Sequence, residues 1–283
     1  MISRAVIATD LGASSWPVVR CAANLTALGV SECVLIYVLD PDHVPRADDD
    51  ATFADQAEAL SAVGMRVSVE TAVGYAPHAI TDVTERHQAD LIVMGSRGKG
   101  LFHVGFSGSV SSDVVRLSPV PVLLVPQGDT DPEGRDPRDS ASDHCSDLLS
   151  SALLPTDFSP AATNALDLAC RVGARAIGRL TVLHVIESSF EALRDGAERT
   201  AHERLDAIAR RAVDAGVRDV RPVLALGDPD RTVAEYAASG DYSIVILGPR
   251  CLDTIDQEFG SVTSAALRAA RAPMLLAPPG CGR

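Results

Sequence analysis

Apolar residues in this chain gather in short continuous runs, and the runs alternate with longer stretches whose apolar positions recur at helical spacing. Ala5–Thr9, Cys33–Leu39, Leu91–Met94 and Val120–Val125 are the runs, and Arg66–Thr71 alternates apolar with polar. Between them the spacing predicts helices from the turn residues Gly12–Ser15 to about Leu28, over Thr52–Val63, over Pro77–His87 and over the nine residues from Ser109. Gly29 and Gly64 follow the first two helices, and Pro77 sits in the first turn of the third, where its missing N–H leaves no bond unmade. Strands that are apolar on both faces and alternate with helices belong to a parallel sheet covered on both sides.

The periodicity stops at Gln127. From there to Asp147 the chain is dense in Asp, Pro, Gly and Ser, which marks a linker over 128–147. The pattern then starts again. Thr9 and Asp10 recur as Thr156 and Asp157, and Val38 as Val185, all 147 positions on. Gly74 and Gly95 recur at 153 as Gly227 and Gly248, and Gly108 and Pro121 recur at 152 as Gly260 and Pro273. About six additional residues in the second helix of the later copy, then one fewer in its glycine loop, account for the slips. The chain reads as a tandem duplication, with one domain over 1–127 and another over 148–283.

Composition narrows the function classes. A formal net charge of -13 over 283 residues disfavours partners recognised by non-specific attraction to phosphate, so neither nucleic acid nor an anionic membrane is expected. The cysteines, at 21, 33, 145, 170, 251 and 281, form no CxxC pair, which argues against a zinc site or a thioredoxin-like motif. Free, mostly buried thiols in a reducing cytoplasm are expected. The first ten residues lead directly into a strand without a signal-peptide core, and no run approaches the ~18 apolar residues of a membrane helix. A soluble cytoplasmic protein is the expectation.

The candidate chemistry lies in Leu91–Pro126. In an open parallel sheet, ligands bind beyond the carboxyl ends of the strands where the strand order reverses, between the first and fourth strands. Asp10 ends the first strand and Gly95 the fourth, so both should face one crevice. The loop from Gly95 to Gly108 carries Arg97, Lys99 and His103 and no carboxylate, and Lys99 is the only lysine among the 25 basic residues. Gly95, Gly98, Gly100, Gly105 and Gly108 allow a backbone that turns its amides toward a ligand. Ser109 then opens a helix whose N-terminus favours an anion. These parts suit a polyphosphate. The loop is not GxxxxGK[ST] and does not follow the first strand, so neither a P-loop nor a dinucleotide fingerprint fits. A glycine-rich connection without a ligand is the structural alternative, although loops of this length are uncommon unless functional.

Gly95, Gly98, Gly108 and Ser109 spell G-x2-G-x9-G-S, which resembles the ATP-binding signature of the universal stress protein family. Asp10, Val38, Gly74 and the Val-Pro-Val ending at Val122 resemble that family too, and the likeness covers nearly the whole chain twice. It implies an adenine nucleotide alpha hydrolase-like α/β fold, with an open five-stranded parallel sheet of order 3-2-1-4-5 in each half. It also implies adenine near Ala8, Thr9, Asp10 and the Val38 backbone, ribose near Gly95, and phosphates along Gly98, Gly108, Ser109 and Val110, with Mg²⁺ arriving on the nucleotide. The family usually has a serine two residues after the aspartate, where this chain has Gly12.

The second copy departs from the signature. Cys251 replaces the second glycine, and Asp253, Asp256 and Glu258 stand against Arg250. Like charges ~4 Å apart repel by roughly 4 kcal/mol at an effective dielectric near 20, so the second half is expected not to bind ATP. The resemblance implies an ATP-binding stress-response or signalling module. A slow ATPase of the same fold and a nucleotide-free interaction module are the alternatives. No catalytic base stands out, because Asp113 lies a turn into its helix and Asp10 is expected at the adenine. His184 reads as a hydrogen-bonded strand residue, His78 and His87 as helix-surface residues, and no histidine pair has metal spacing. Pro121 and Pro273 are expected to open edge strands. Family members dimerise through this strand, which implies a pseudo-dimer of the two halves and possible homodimerisation.

Overall fold

A computed structural model describes residues 2–12, 15–39, 49–96, 109–126, 145, 147–173, 176–187, 194–249 and 259–278. The chain divides into two compact units, Met1–Ser146 and Asp147–Arg283. The segment expected as a linker lies largely outside the described residues.

In the first unit the strands are β1 (Arg4–Thr9), β2 (Glu32–Leu39), β3 (Arg66–Val73), β4 (Leu91–Gly95) and β5 (Val122–Val125). All described pairings are parallel and the order is β3-β2-β1-β4-β5. Helices α1 (Trp16–Asn24) and α2 (Asp49–Ala62) pack together, as do α3 (Ala76–Arg86) and α4 (Ser109–Leu117). The central strands supply the core: Ile7, Leu35, Ile36, Ile92, Leu123 and Leu124 are fully buried. At the edge, β3 leaves Val73 70% exposed, in keeping with its polar alternation.

The second unit repeats this arrangement. Its strands are β6 (Ser151–Pro155), β7 (Arg179–Ile186), β8 (Asp219–Leu226), β9 (Ile244–Leu247) and β10 (Met274–Leu276), in the order β8-β7-β6-β9-β10. Its helices are α5 (Pro160–Gly173), α6 (Arg194–Asp214), α7 (Pro229–Ala238) and α8 (Ser261–Ala269). At 21 residues against the 14 of α2, α6 holds the additional length expected of the later copy. The turns after the third strands match as well. The Gly74 N–H donates to Leu39 and the Gly227 N–H to Ile186, each at 3.0 Å, with φ of 127° and 153° that a side chain would strain.

Local differences from expectation have local causes. The first helix ends as α-helix at Asn24 and continues as a 3-10 turn, Leu25–Leu28, closed by Gly29 at φ 96°. Helix α2 begins three residues early, at Asp49, because Asp49 and Asp50 complement its N-terminal dipole. The two prolines stand one residue ahead of β5 and β10, and their carbonyls accept the Ile92 and Val245 N–H groups at 3.0 Å.

One expectation is corrected. Cys21 and Cys145 are joined in a disulfide, with Cα atoms 5.0 Å apart, instead of lying free. Sequence spacing could not show this, because the two residues are 124 apart and meet only in the folded unit. Cys33 and Cys170 are free, and burial raises the Cys33 thiol to about 11. Cys251 and Cys281 fall outside the described residues.

Candidate functional site

The carboxyl ends of β1, β2 and β4 frame the candidate site. Thr9 pairs with Tyr37, so Asp10 leaves β1 beside Val38 of β2. On the other flank Ile7 pairs with Val93, two residues before Thr9 and Gly95, so Gly95 ends β4 next to the β1 turn. Ala8 is half-buried and Thr9 buried.

The turn after β1 is tightly specified. The Thr9 hydroxyl accepts the Leu11 N–H at 3.1 Å, and the Asp10 Oδ1 accepts the Gly12 N–H at 2.9 Å. These bonds hold Leu11 at φ 54°, an uncommon conformation for a side-chain-bearing residue. The carboxylate of Asp10 is thereby oriented by its own turn, and Gly12 supplies the amide without needing a side chain.

Helix α4 is fastened to the end of β4. The Ser96 N–H donates to Val125 at 2.9 Å, and the Ser111 hydroxyl donates to the Ser96 carbonyl at 3.4 Å. This brings the helix N-terminus, with Ser109 and Val110, to the end of the strand that carries Gly95. The first amides of a helix have no partner within it and favour an anion there. Ser112, one turn on, is buried with a hydroxyl that has no partner among the described residues. The structure thus brings Ala8, Thr9, Asp10, Val38, Gly95, Ser109 and Val110 to one end of the sheet. Arg97, Gly98, Lys99 and Gly108 lie outside the described residues.

Asp113 is already engaged. It accepts the Tyr75 phenol, which raises the phenol's pKa, and Arg116 bonds its other oxygen at 2.6 Å. Among the described residues no group of three or more His, Cys, Asp and Glu could hold a metal. His184 is hydrogen-bonded to the Thr156 carbonyl at 2.8 Å. His78 is exposed, and His87 caps the C-terminal end of α3 with its ring hydrogen-bonded to Glu70.

The second unit keeps the turn and alters its surroundings. Thr156 Oγ1 accepts the Phe158 N–H at 3.0 Å and Asp157 Oδ1 the Ser159 N–H at 2.9 Å, with Phe158 at φ 63°. The Phe158 ring packs on His184 at 4.3 Å and lies under the Arg204 guanidinium at 4.2 Å. Gly248 directly follows β9, where a Cβ would come within 1.8 Å of the Ala161 carbonyl, so close packing against α5 alone demands glycine there. At the start of α8 the Ser261 hydroxyl donates to the Asp230 carboxylate at 2.9 Å. This acid is the residue sequence reasoning missed: it lies in the first turn of α7, and only the packing of α7 against α8 brings it to Ser261.

Comparison with known proteins agrees with this arrangement. The profile of the Universal stress protein family matches residues 1–126 and 150–278. A universal stress protein of Mycobacterium tuberculosis is 29% identical over 234 residues, covering 77% of this chain and 72% of that one. One from Synechocystis is 35% identical over 115 residues, covering 37% of this chain and 73% of that one. Among solved structures, a universal stress protein from Archaeoglobus fulgidus superposes with a TM-score of 0.72 at 20% identity, over 98% of both chains.

Proposed function

This chain belongs to the universal stress protein family, with the family's domain present twice, and we propose that its first unit binds ATP, or a closely similar adenine nucleotide, as a nucleotide-dependent signalling or interaction module. The observation that carries the reading is the bond from Ser111 to Ser96, which closes the start of α4 onto the end of β4 beside the Asp10 turn. Adenine and ribose would lie by Ala8, Thr9, Asp10, the Val38 backbone and Gly95. The phosphates would lie against Gly98, Gly108, Ser109 and Val110, with Arg97 and Lys99 supplying positive charge from the loop. Mg²⁺ would enter on the nucleotide, held by phosphate oxygens and water, since the described residues offer no carboxylate cluster to hold it alone.

Binding is favoured over turnover. Asp113 is held by Tyr75 and Arg116, so its carboxylate is not available to take a proton from an attacking water. The second unit is the silent partner in this reading, because Asp230 already places a carboxylate on the serine that opens α8.

The experiment is to purify the full chain, identify any bound nucleotide by mass spectrometry, and titrate the stripped protein with ATP and Mg²⁺. One nucleotide per chain is expected, with no phosphate release above background. Two nucleotides per chain would overturn the silent second unit, and no binding would leave a nucleotide-free interaction module.

A further inference from the structure

Of the 14 residues of α2, only Gln56 and Leu60 are buried, and Gln56 is 0% exposed. A helix that inserts two side chains beneath its neighbours ordinarily uses aliphatic ones. Here the amide reaches 41 residues back along the chain, where its Nε2 donates to the Ser15 hydroxyl at 2.8 Å, and Ser15 is itself 1% exposed. The Oε1 has no partner among the described residues, so the amide carries a desolvation penalty that an aliphatic residue would avoid.

The direction of the bonds gives the amide a task. A hydroxyl has one proton. With Nε2 donating to it, Ser15 Oγ turns its own proton to the Gly12 carbonyl, at 2.6 Å, where the Ser15 N–H also arrives at 3.0 Å. The N–H of Gly12 in turn donates to Asp10 Oδ1. Gly12 is thus held at both its N–H and its carbonyl, and the orientation of Asp10 depends on a chain running from Gln56 through Ser15 and Gly12.

The second unit shows what this chain of bonds replaces. There Ser159 stands at the position of Gly12, and its own hydroxyl accepts the Ala162 N–H at 3.2 Å to cap the helix. Ala162 stands where the first unit has Ser15. In the first unit, glycine removes the capping hydroxyl, and a serine three residues on, aimed by a glutamine from another helix, supports the turn instead. Helix α2 is kept in place over this region by the contact of Phe53 with Tyr37, the strand partner of Thr9.

We propose that Gln56 is a positioning residue of the nucleotide site, which sets the Asp10 carboxylate through Ser15 and Gly12 and so couples α2 to the site. The inference rests on the nucleotide reading above. The full chain is titrated with ATP as wild type, Q56M, S15A and the double variant, and each thermal midpoint is measured without nucleotide. Loss of one such hydrogen bond predicts about five- to tenfold weaker ATP binding in each single variant. The double variant should be no weaker than either single variant, because the two residues act in series. Q56M fills the same space and removes the unpartnered oxygen, so its midpoint should hold. Unchanged affinity in both single variants, or additive losses, overturns the proposal. If the unaltered chain binds no adenine nucleotide, the functional reading fails on its own account. The coupling is then decided by amide exchange in the free protein: faster exchange at Gly12 and Ser15 in Q56M sustains it, and unchanged exchange overturns it.

Discussion

Leu11 and Phe158 occupy the same place in two copies of one turn, at φ 54° and 63°. A side-chain-bearing residue held there stores roughly 1–3 kcal/mol. In both copies a threonine hydroxyl and an aspartate oxygen take the amides of the turn, at 2.9 to 3.1 Å. The turn is a built feature of the duplicated unit and is kept whether or not a ligand follows. Its two aspartates therefore separate structure from function. Replacing either with alanine removes one hydrogen bond and should lower stability by about 1–2 kcal/mol. Only D10A should also abolish tight ATP binding, while D10N, which keeps an oxygen for Gly12, should hold the fold and still weaken ATP at least tenfold, by loss of a charged acceptor. Denaturant titration and calorimetry of the three variants check this, and loss of ATP binding in D157A would contradict it.

Ser109 and Ser261 open corresponding helices and have different prospects. Ser261 is committed to Asp230, which sets a carboxylate against the N-terminus of α8. S109A should weaken ATP by about tenfold, the worth of one charge-assisted hydrogen bond. S261A should leave ATP binding unchanged and lower stability by at most ~1 kcal/mol, since its bond is exposed. Titration of both variants in the full chain decides it, and equal losses would mean that both helix termini hold phosphate.

Much of this was legible in the residues, for physical reasons that also explain the rest. The central strands could be read because Val6, Ile7, Val34 and Leu35 are buried on both faces, which demands a continuous apolar run. Asp10 and Gly95 could be placed in one crevice because parallel strands present their ends together. Gln56 could not be read, since a glutamine on a helix with an acidic first turn looks solvent-facing until its partner 41 residues away is known. Nor could Asp230, whose meeting with Ser261 depends on the packing of α7 against α8.

The disulfide was illegible for the same reason, and its contribution can be measured. Joining Cys21 to Cys145 closes a sequence separation of 124 residues. Restricting the unfolded chain to that extent is worth up to ~5 kcal/mol in the chain-entropy account. Non-reducing peptide mapping should recover the Cys21–Cys145 pair, and C145S should lower the stability of the first unit by about 2–5 kcal/mol. Because Cys21 lies within α1, six residues beyond Ser15, and the bond takes no part in the hydrogen bonds of the Asp10 turn, the variant should keep its ATP affinity below its unfolding temperature. A C145S protein as stable as the oxidised wild type would show that the bond does not form in solution.

Asp90 ties the start of β1 to the connection that enters β4. Its carboxylate accepts the Ser3 N–H at 2.8 Å, the Ser3 hydroxyl at 3.0 Å and the Arg4 N–H at 3.1 Å. Burial alone would raise its pKa, but the two amides and the hydroxyl outweigh burial and hold it below the ordinary value of 3.8. A carboxylate lowered by folding adds stability that is present above its unfolded-state value and is lost as pH falls through its folded-state value. The contribution is therefore complete at neutral pH, begins to fall below about pH 4, and is gone once the pH is below the folded-state value. D90N keeps one oxygen but loses the charge, so it should be about 1–2 kcal/mol less stable than wild type at pH 7. Once both side chains are uncharged, near pH 2, the gap should narrow. Paired urea titrations at the two pH values measure it. A gap that stayed constant would assign the difference to the shape of the side chain and not to its charge.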